Sequence, residues 1–261
     1  MKTFLIITLI FLSCLKGFCQ NDNSFNNKVE YEMILSFSSP VFYKANFYYN
    51  NTNSLFEYKE FSEKNETLVN EKDPELNITI NLSENNMQYI STNKEKNELT
   101  QLVEGLKKNE SYELKEPIPV IAWTILEEVK KINQHNCNKA ICTFRGRNYT
   151  VWFTTDIQTN FGPLKLNGLP GLILELSDET KEVTLNALVI KQEIRLSEDK
   201  ESGLKTISRF DYNVMLSKMM KDIEESVKAV TSRMDRGFKA SYKISKPKAI
   251  EMDYDLAETE K

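Results

Sequence analysis

The stretch Asn160–Leu176, NFGPLKLNGLPGLILEL, carries the tightest backbone constraints in this chain. Three of the chain's eight glycines and two of its seven prolines fall there, so its path is narrowly specified. Leu169-Pro170-Gly171-Leu172 places Pro second and Gly third in a four-residue turn. Pro presets φ near about −65° and Gly supplies a positive φ, the pairing of a type II turn. Leu172, Leu174 and Leu176 then share one face of a strand. Gly162-Pro163 reads as a second turn, and Gly168 as a point of close backbone approach. A phosphate loop needs Gly-Lys-Ser/Thr opening a helix, whereas a hydrophobic strand follows here.

A rigid turn feeding a buried strand needs other strands to bury it against, and period-two patterning supplies them. Val29–Phe37 alternates and stops before Pro40. Ala45–Tyr49 and Ser54–Tyr58 flank Asn50-Asn51-Thr52-Asn53, an Asn-rich hairpin turn. Leu76–Leu82 and Met87–Ser91 are further strand candidates, whereas the charge-rich stretches 59–75 and 92–110 read as exposed loops or frayed helical pieces. Glu116-Pro117-Ile118-Pro119 is an extended breaker leading into a strand at Val120–Leu126, with a helix over Trp123–Ile132 as the competing reading. Cys137–Phe144 and Asn148–Thr155 pair across Arg145-Gly146-Arg147, with Tyr149, Val151 and Phe153 facing one way and Thr150, Trp152 and Thr154 the other.

After Ile190 the period changes. Ser208 or Asp211 caps a helix of about residues 209–233, with Tyr212, Val214, Met215, Met219, Ile223, Val227 and Val230 spaced by threes and fours. That face is expected to lie on the sheet. Ala240–Ile244 is a candidate last strand, and the acidic stretch from residue 246 reads as a disordered tail. The expected architecture is α+β and mostly β: a curved antiparallel sheet, at its most closed a half-barrel, packed by a long C-terminal helix. The expected domain runs over 28–245, behind a linker at 20–27.

Met1-Lys2, an apolar run from Phe4 to Leu12, and Gly17 and Cys19 before Gln20 spell a secretory leader cut between Cys19 and Gln20. The run is too short for a span of about 20 apolar residues. A lipobox at Cys14 or Cys19 is the rival, and Phe11-Leu12-Ser13 and Gly17-Phe18 fit it poorly. With Lys2 and Lys16 removed, 32 basic residues face 38 acidic ones, a balance that argues against a nucleic-acid partner. Cys137 and Cys142 remain. In one continuous strand their Cα atoms lie about 16 Å apart, beyond the roughly 7 Å limit of a disulfide. A turn between them, at Asn136 and Asn138, would bring them together.

Gly168-Leu169-Pro170-Gly171-Leu172-Ile173 resembles the signature of the GLPGLI family, exported proteins of the Bacteroidetes. Trp123, Cys137-Asn138-Lys139-Ala140, Phe144–Tyr149, Trp152-Phe153-Thr154, Ile157, Gly162-Pro163-Leu164-Lys165 and Ser54-Leu55-Phe56 are similar to that family's pattern as well. Gln158 stands where the family often has proline, and Cys142 lies outside the pattern, which weakens a Cys137–Cys142 bond. The resemblance implies a signal peptide, a periplasmic or secreted location, partnership with a TonB-dependent outer-membrane protein, and no established activity.

Catalytic sets are sparse. His135 is the one histidine, two residues from Cys137 in a polar Asn-Gln-His-Asn context with nothing to orient its ring. Zinc-finger, H-E-x-x-H and EF-hand spacings are missing, so no metal and no cofactor are expected. The acid pairs Glu127-Glu128 and Asp178-Glu179 read as solvated. Arg145, Arg147 and Lys165 sit beside the rigid turns and near Tyr149 and Trp152, a composition suited to a binding surface, although a hairpin that simply exposes its arginines to water is the plainer alternative. The expectation is a non-enzymatic envelope module that binds a protein or peptide; a carrier of an apolar ligand and a hydrolase are the alternatives.

Overall fold

The computed structural model describes residues 24–61, 87–105, 109–196, 203–231 and 249–251. The leader and the strands expected at 76–82 and 240–244 lie outside them. Twelve strands form one sheet: β1 Phe25–Leu35, β2 Val41–Tyr49, β3 Asn53–Glu60, β4 Gln88–Asn93, β5 Glu98–Glu104, β6 Ser111–Pro117, β7 Thr124–Ile132, β8 His135–Phe144, β9 Arg147–Thr154, β10 Leu172–Asp178, β11 Val183–Leu196 and β12 Lys205–Ser208. The helix α1 follows at Arg209–Thr231. Across the sheet the order is β12-β6-β5-β4-β3-β2-β1-β11-β10-β9-β8-β7, antiparallel except where β12 runs parallel to β6.

This order forces the sheet to curl. Strands β6 and β7 follow each other in sequence but are separated by ten strand spacings, roughly 48 Å if the sheet lay flat. The connection 118–123 reaches at most roughly 25 Å even when extended. The two ends of the sheet must therefore roll toward each other, leaving a seam between the β6/β12 end and the β7/β8 end.

One face of the rolled sheet holds a continuous core. Val29, Tyr31, Met33, Phe47, Phe56, Val151, Phe153, Leu174 and Leu185 line it, and the rings of Phe47, Tyr49, Phe56 and Tyr58 pack side by side. The 155–171 connection between β9 and β10 fills the rest. Neighbouring antiparallel strands need only a tight hairpin; this longer loop inserts Ile157, Phe161, Leu164, Leu166 and Leu169 into the core cluster.

Several sequence expectations shift. Strand β1 begins at Phe25, fully buried, within the segment expected as linker. Residues 92–110 are not all loop: Lys94–Asn97 is a turn, and β5 then buries Leu99 and Val103. The strand expected at Val120–Leu126 starts instead at Thr124 and runs through Glu127, Glu128, Lys130 and Lys131 to Ile132. Those charges are tolerated because β7 is an edge strand with little buried surface, and charge on an edge discourages pairing with other chains. Asn133 (φ 45°) and Gln134 (φ 72°) make the two-residue turn into β8. The C-terminal helix packs on the sheet as expected, against β6 and β12, with Asn213 buried, while Val214 on the expected face is 44% exposed.

The Gly/Pro segment also differs in detail. Gly168 has the positive φ (104°), whereas Gly171 does not, so Leu169–Leu172 is not a type II turn. The two glycines exchange their expected roles. A Cβ on Gly171 would sit 2.1 Å from the Thr154 carbonyl oxygen, and one on Gly162 would sit 2.0 Å from that of Leu166. Close approach, not a left-handed backbone, is what requires glycine at 162 and 171.

Candidate functional site: a charged seam holding the C-terminal segment

The β8–β9 hairpin turns at Arg145 (φ 51°) and Gly146 (φ 77°), which carries the Arg145 side chain toward the end of β6. There an Arg145 nitrogen donates to Glu116 Oε2 at 2.7 Å. Lys165 reaches the same carboxylate from the 155–171 loop, with Nζ 2.7 Å from Glu116 Oε1. Its position follows from the local backbone. Leu164 adopts φ 59°, the Leu166 amide closes a turn on Pro163, and Asn167 Oδ1 accepts from the Gly162 amide at 3.0 Å. Trp123 Nε1 donates to the Asn167 carbonyl at 2.9 Å, tying the loop to the β6–β7 connection. Glu116 thus joins elements from the two ends of the curled sheet.

Arg147 begins β9 and points inward with Tyr149, Val151 and Phe153. Its Nη1 donates to Asp178 Oδ2 at 2.6 Å and to Glu182 Oε2 at 3.0 Å, and its guanidinium lies 5.3 Å from the Phe37 ring centre. Asp178 also accepts from Thr180 Oγ1 and the Val183 amide. Burial alone would raise the Asp178 carboxyl, but these donors and the Arg147 charge hold it below the usual range.

The opposite edge of the Arg147 guanidinium, with its remaining donors, holds backbone. Nε donates to the carbonyls of Ala249 and Ile250, each at 3.1 Å, and Nη2 donates to Ala249 at 2.6 Å. Tyr149 Oη donates to the Ile250 carbonyl at 3.3 Å, and the Ile250 side chain packs against the core. Glu251 follows directly. Its carboxylate pairs with Lys165 at 2.7 Å and with Arg209 at the start of α1. The segment expected as a disordered tail therefore includes three residues seated in the seam.

Of the expected binding residues, Arg145, Arg147, Tyr149 and Lys165 converge, with Arg147, Tyr149 and Lys165 buried and Arg145 half-buried, rather than as an open surface. The side chains of Arg147 and Lys165 are only 3% and 2% exposed, which also overturns a hairpin that presents its arginines to water. Trp152 is not among them. It lies on the other face of β9 beneath Lys130 Nζ, 4.5 Å from its ring centre, and Lys130 pairs with Glu175. Glu116, Arg209 and Glu251 carry no local signal of their role, since each is far along the chain from the residues it pairs with. Asp178, expected as a solvated acid, is buried.

Burial would raise the Glu251 carboxyl, yet Lys165, Arg209 and Arg145 outweigh it and hold it below its ordinary 4.5. A depressed carboxyl contributes stability that is complete above its unfolded value and fades as pH falls through the folded one. The gap in melting temperature between the protein and Glu251→Gln should therefore be widest at pH 6–7 and close below about pH 4. A gap unchanged down to pH 3 would show that the carboxylate's charge plays no part.

The remaining chemical candidates do not assemble into a nucleophile and base. Cys137 Sγ donates to the His135 carbonyl at 3.6 Å, not to the ring, whose Nδ1 faces Asp156 at 3.2 Å. Both cysteines are free, buried and on the one strand β8. Burial raises the Cys137 thiol and pushes Cys142 up to about 12, so the thiolate is scarce at neutral pH. Neither should react with a thiol reagent in the native protein, and both should react after denaturation; fast native labelling would contradict this placement. Among the described residues no group of three or more His, Cys, Asp or Glu gathers to hold a metal, and no helix is long and apolar enough to cross a membrane.

The family model described as "Protein of unknown function (Porph_ging)" matches residues 143–175, which contain Arg145, Arg147, Tyr149 and Lys165. No curated protein matches the chain. Among solved structures it is similar to PNGF-II in two crystal forms. The first is 18% identical with TM-score 0.49, covering 73% of this chain and 33% of that one. The second is 17% identical with TM-score 0.47, covering 73% and 32%. The chain thus spans about a third of the length of PNGF-II. The LolA superfamily protein NE2245 from Nitrosomonas europaea is 10% identical with TM-score 0.28, covering 67% of this chain and 88% of that one.

Proposed function

We propose that this protein is an exported, non-enzymatic binding module of the cell envelope that engages a protein or peptide. One observation carries the reading: the charged seam grips polypeptide, taking two successive main-chain carbonyls with Arg147 and Tyr149 and a carboxylate with Lys165 and Arg209. These are recognition contacts. Every one of these cations is engaged in pairing, and none stands beside a nucleophile. The carrier alternative is weaker because the 155–171 loop occupies the core face with its own side chains, where an apolar ligand would have to sit.

The Gly168–Ile173 signature and the leader-like first residues support membership of the GLPGLI family and a periplasmic or secreted location. A TonB-dependent outer-membrane protein is the partner class that follows from that membership. The test is crosslinking in native envelopes with the tagged mature protein. One dominant outer-membrane receptor is the expected product. Recovery of nothing above the untagged control would overturn the reading.

A further inference from the structure

We propose that Ala249–Glu251 is a strap that closes the curled sheet, and that without it the β6/β12 end swings open along the seam while the centre of the sheet stays folded. The inference goes beyond the binding-module reading and stands without it.

The sheet ends at β12 on one side and at β7 on the other, and among the described residues no main-chain pair joins those two edges. Closure is left to the covalent connection 118–123 and to side chains. Glu116 of β6 supplies one tie, accepting from Arg145 and Lys165. Trp123, within the connection, supplies another by donating to the Asn167 carbonyl.

The strap bridges the same gap with more contacts. On one side, Arg147 and Tyr149 of β9 hold the carbonyls of Ala249 and Ile250, and the Ile250 side chain packs against the core. Asp178 and Glu182 fix Arg147 from behind, so this anchor is stiff. Lys165 of the 155–171 loop then takes the Glu251 carboxylate at 2.7 Å. On the other side, the same carboxylate pairs with Arg209. Arg209 follows β12 directly and opens α1, which packs against β6 and β12. The Arg209 and Glu251 side chains are 15% and 17% exposed, so water and salt screen this pair less than a surface one.

Strand length says which part gives way. The end of the sheet is built from short strands: β4 has 6 residues, β5 and β6 have 7 each, and β12 has 4. The centre holds β1 with 11 residues and β11 with 14, paired with each other. β12 pairs with β6 alone and buries none of its residues fully. Proteins open first where pairing is short and burial is slight. Once the strap is gone, the β6/β12 end keeps the Glu116 and Trp123 ties across the seam but loses the bridge from Arg209 to β9 and the 155–171 loop.

Hydrogen exchange measured by mass spectrometry tests this on the native chain, a chain ending at Glu251 and a chain ending at Lys248. The chain ending at Glu251 keeps the strap and should exchange like the native one. In the chain ending at Lys248, the amides of Tyr112–Glu116 in β6 should lose their protection and exchange within about tenfold of an unfolded chain. Those of Val29–Met33 in β1 should stay protected by at least about a thousandfold. Full-length Glu251→Gln keeps the main-chain contacts to Arg147 and loses the charged bridge, so its β6 exchange should fall between the native and Lys248-ending chains. Protection of β6 that survives in the chain ending at Lys248 would overturn the proposal. Loss of protection in β1 together with β6 would overturn it as well, because the segment would then support the whole fold rather than the seam. Faster β6 exchange in the chain ending at Glu251 would assign the effect to residues 252–261 and also overturn it.

Discussion

Arg147→Met is expected to lower the melting temperature by about 6–20 °C. Removing one partner of a buried ion pair costs roughly 3–5 kcal/mol, because the other charge is left uncompensated. A protein of this size loses roughly 2–4 °C per kcal/mol. Asp178 is the exposed liability: its side chain is 2% exposed, and the Thr180 hydroxyl and Val183 amide cannot replace a full charge. Methionine retains the aliphatic volume beside Phe37, so the loss reports the guanidinium rather than a cavity. The variant also frees the Ala249 carbonyl and leaves the Ile250 carbonyl only the Tyr149 hydroxyl, so proteolysis around Ala249–Glu251 should become faster at temperatures well below the melt. Asp178→Asn in the Arg147→Met background should recover part of the stability, since no lone carboxylate then stays buried. A melt unchanged within about 1 °C would mean that the pair contributes nothing net, an outcome known for some buried ion pairs.

Gly171→Ala should be comparably damaging for a steric reason. Its Cβ would lie 2.1 Å from the Thr154 carbonyl oxygen and 2.7 Å from the carbonyl carbon. Both are backbone atoms at the start of the β9–β10 pairing, where Leu172 faces Thr154, so no side chain can rotate away. The strands must separate, at a cost of about 3 kcal/mol or more. Gly168→Ala is the informative contrast. Its Cβ would have 3.7 Å of clearance from the Trp123 indole, and the penalty there is the positive φ of 104°, about 1–3 kcal/mol. Equilibrium unfolding of the two variants should place Gly171→Ala below Gly168→Ala. The reverse order would mean that the backbone at Thr154 yields more easily than the close approach implies.

Much of the fold could be read from local pattern. Hairpins β2–β3 and β8–β9, strand β10 and helix α1 lie where period-two or period-3.6 spacing and turn residues placed them. Of the misplaced elements, β5 is set within the charge-rich stretch 92–110, and β7 itself carries Glu127, Glu128, Lys130 and Lys131. β7 tolerates charge because it is an edge, and edge status belongs to the sheet order, which local pattern does not contain.

The site was legible by composition and wrong by exposure. Arg147 shares its alternation with Tyr149, Val151 and Phe153, so the period alone pointed it inward, while Trp152 fell on the opposite face. That parity could have separated the two. What parity could not supply is the company Arg147 keeps inside: Asp178 lies 31 residues away, and the Ala249 carbonyl lies 102 away.

The Asn160–Leu176 stretch shows the division most clearly. Its residues alone determined that the backbone there would be rigid and that a buried strand would follow, because glycine, proline and alternating leucines act within a few bonds of themselves. Only the tertiary structure decided which glycine bends and which merely makes room, and that Lys165 would turn inward to meet Glu116 and Glu251. Those outcomes depend on atoms brought close by the curl of the sheet, and proximity between distant parts of a chain is a property of the folded molecule.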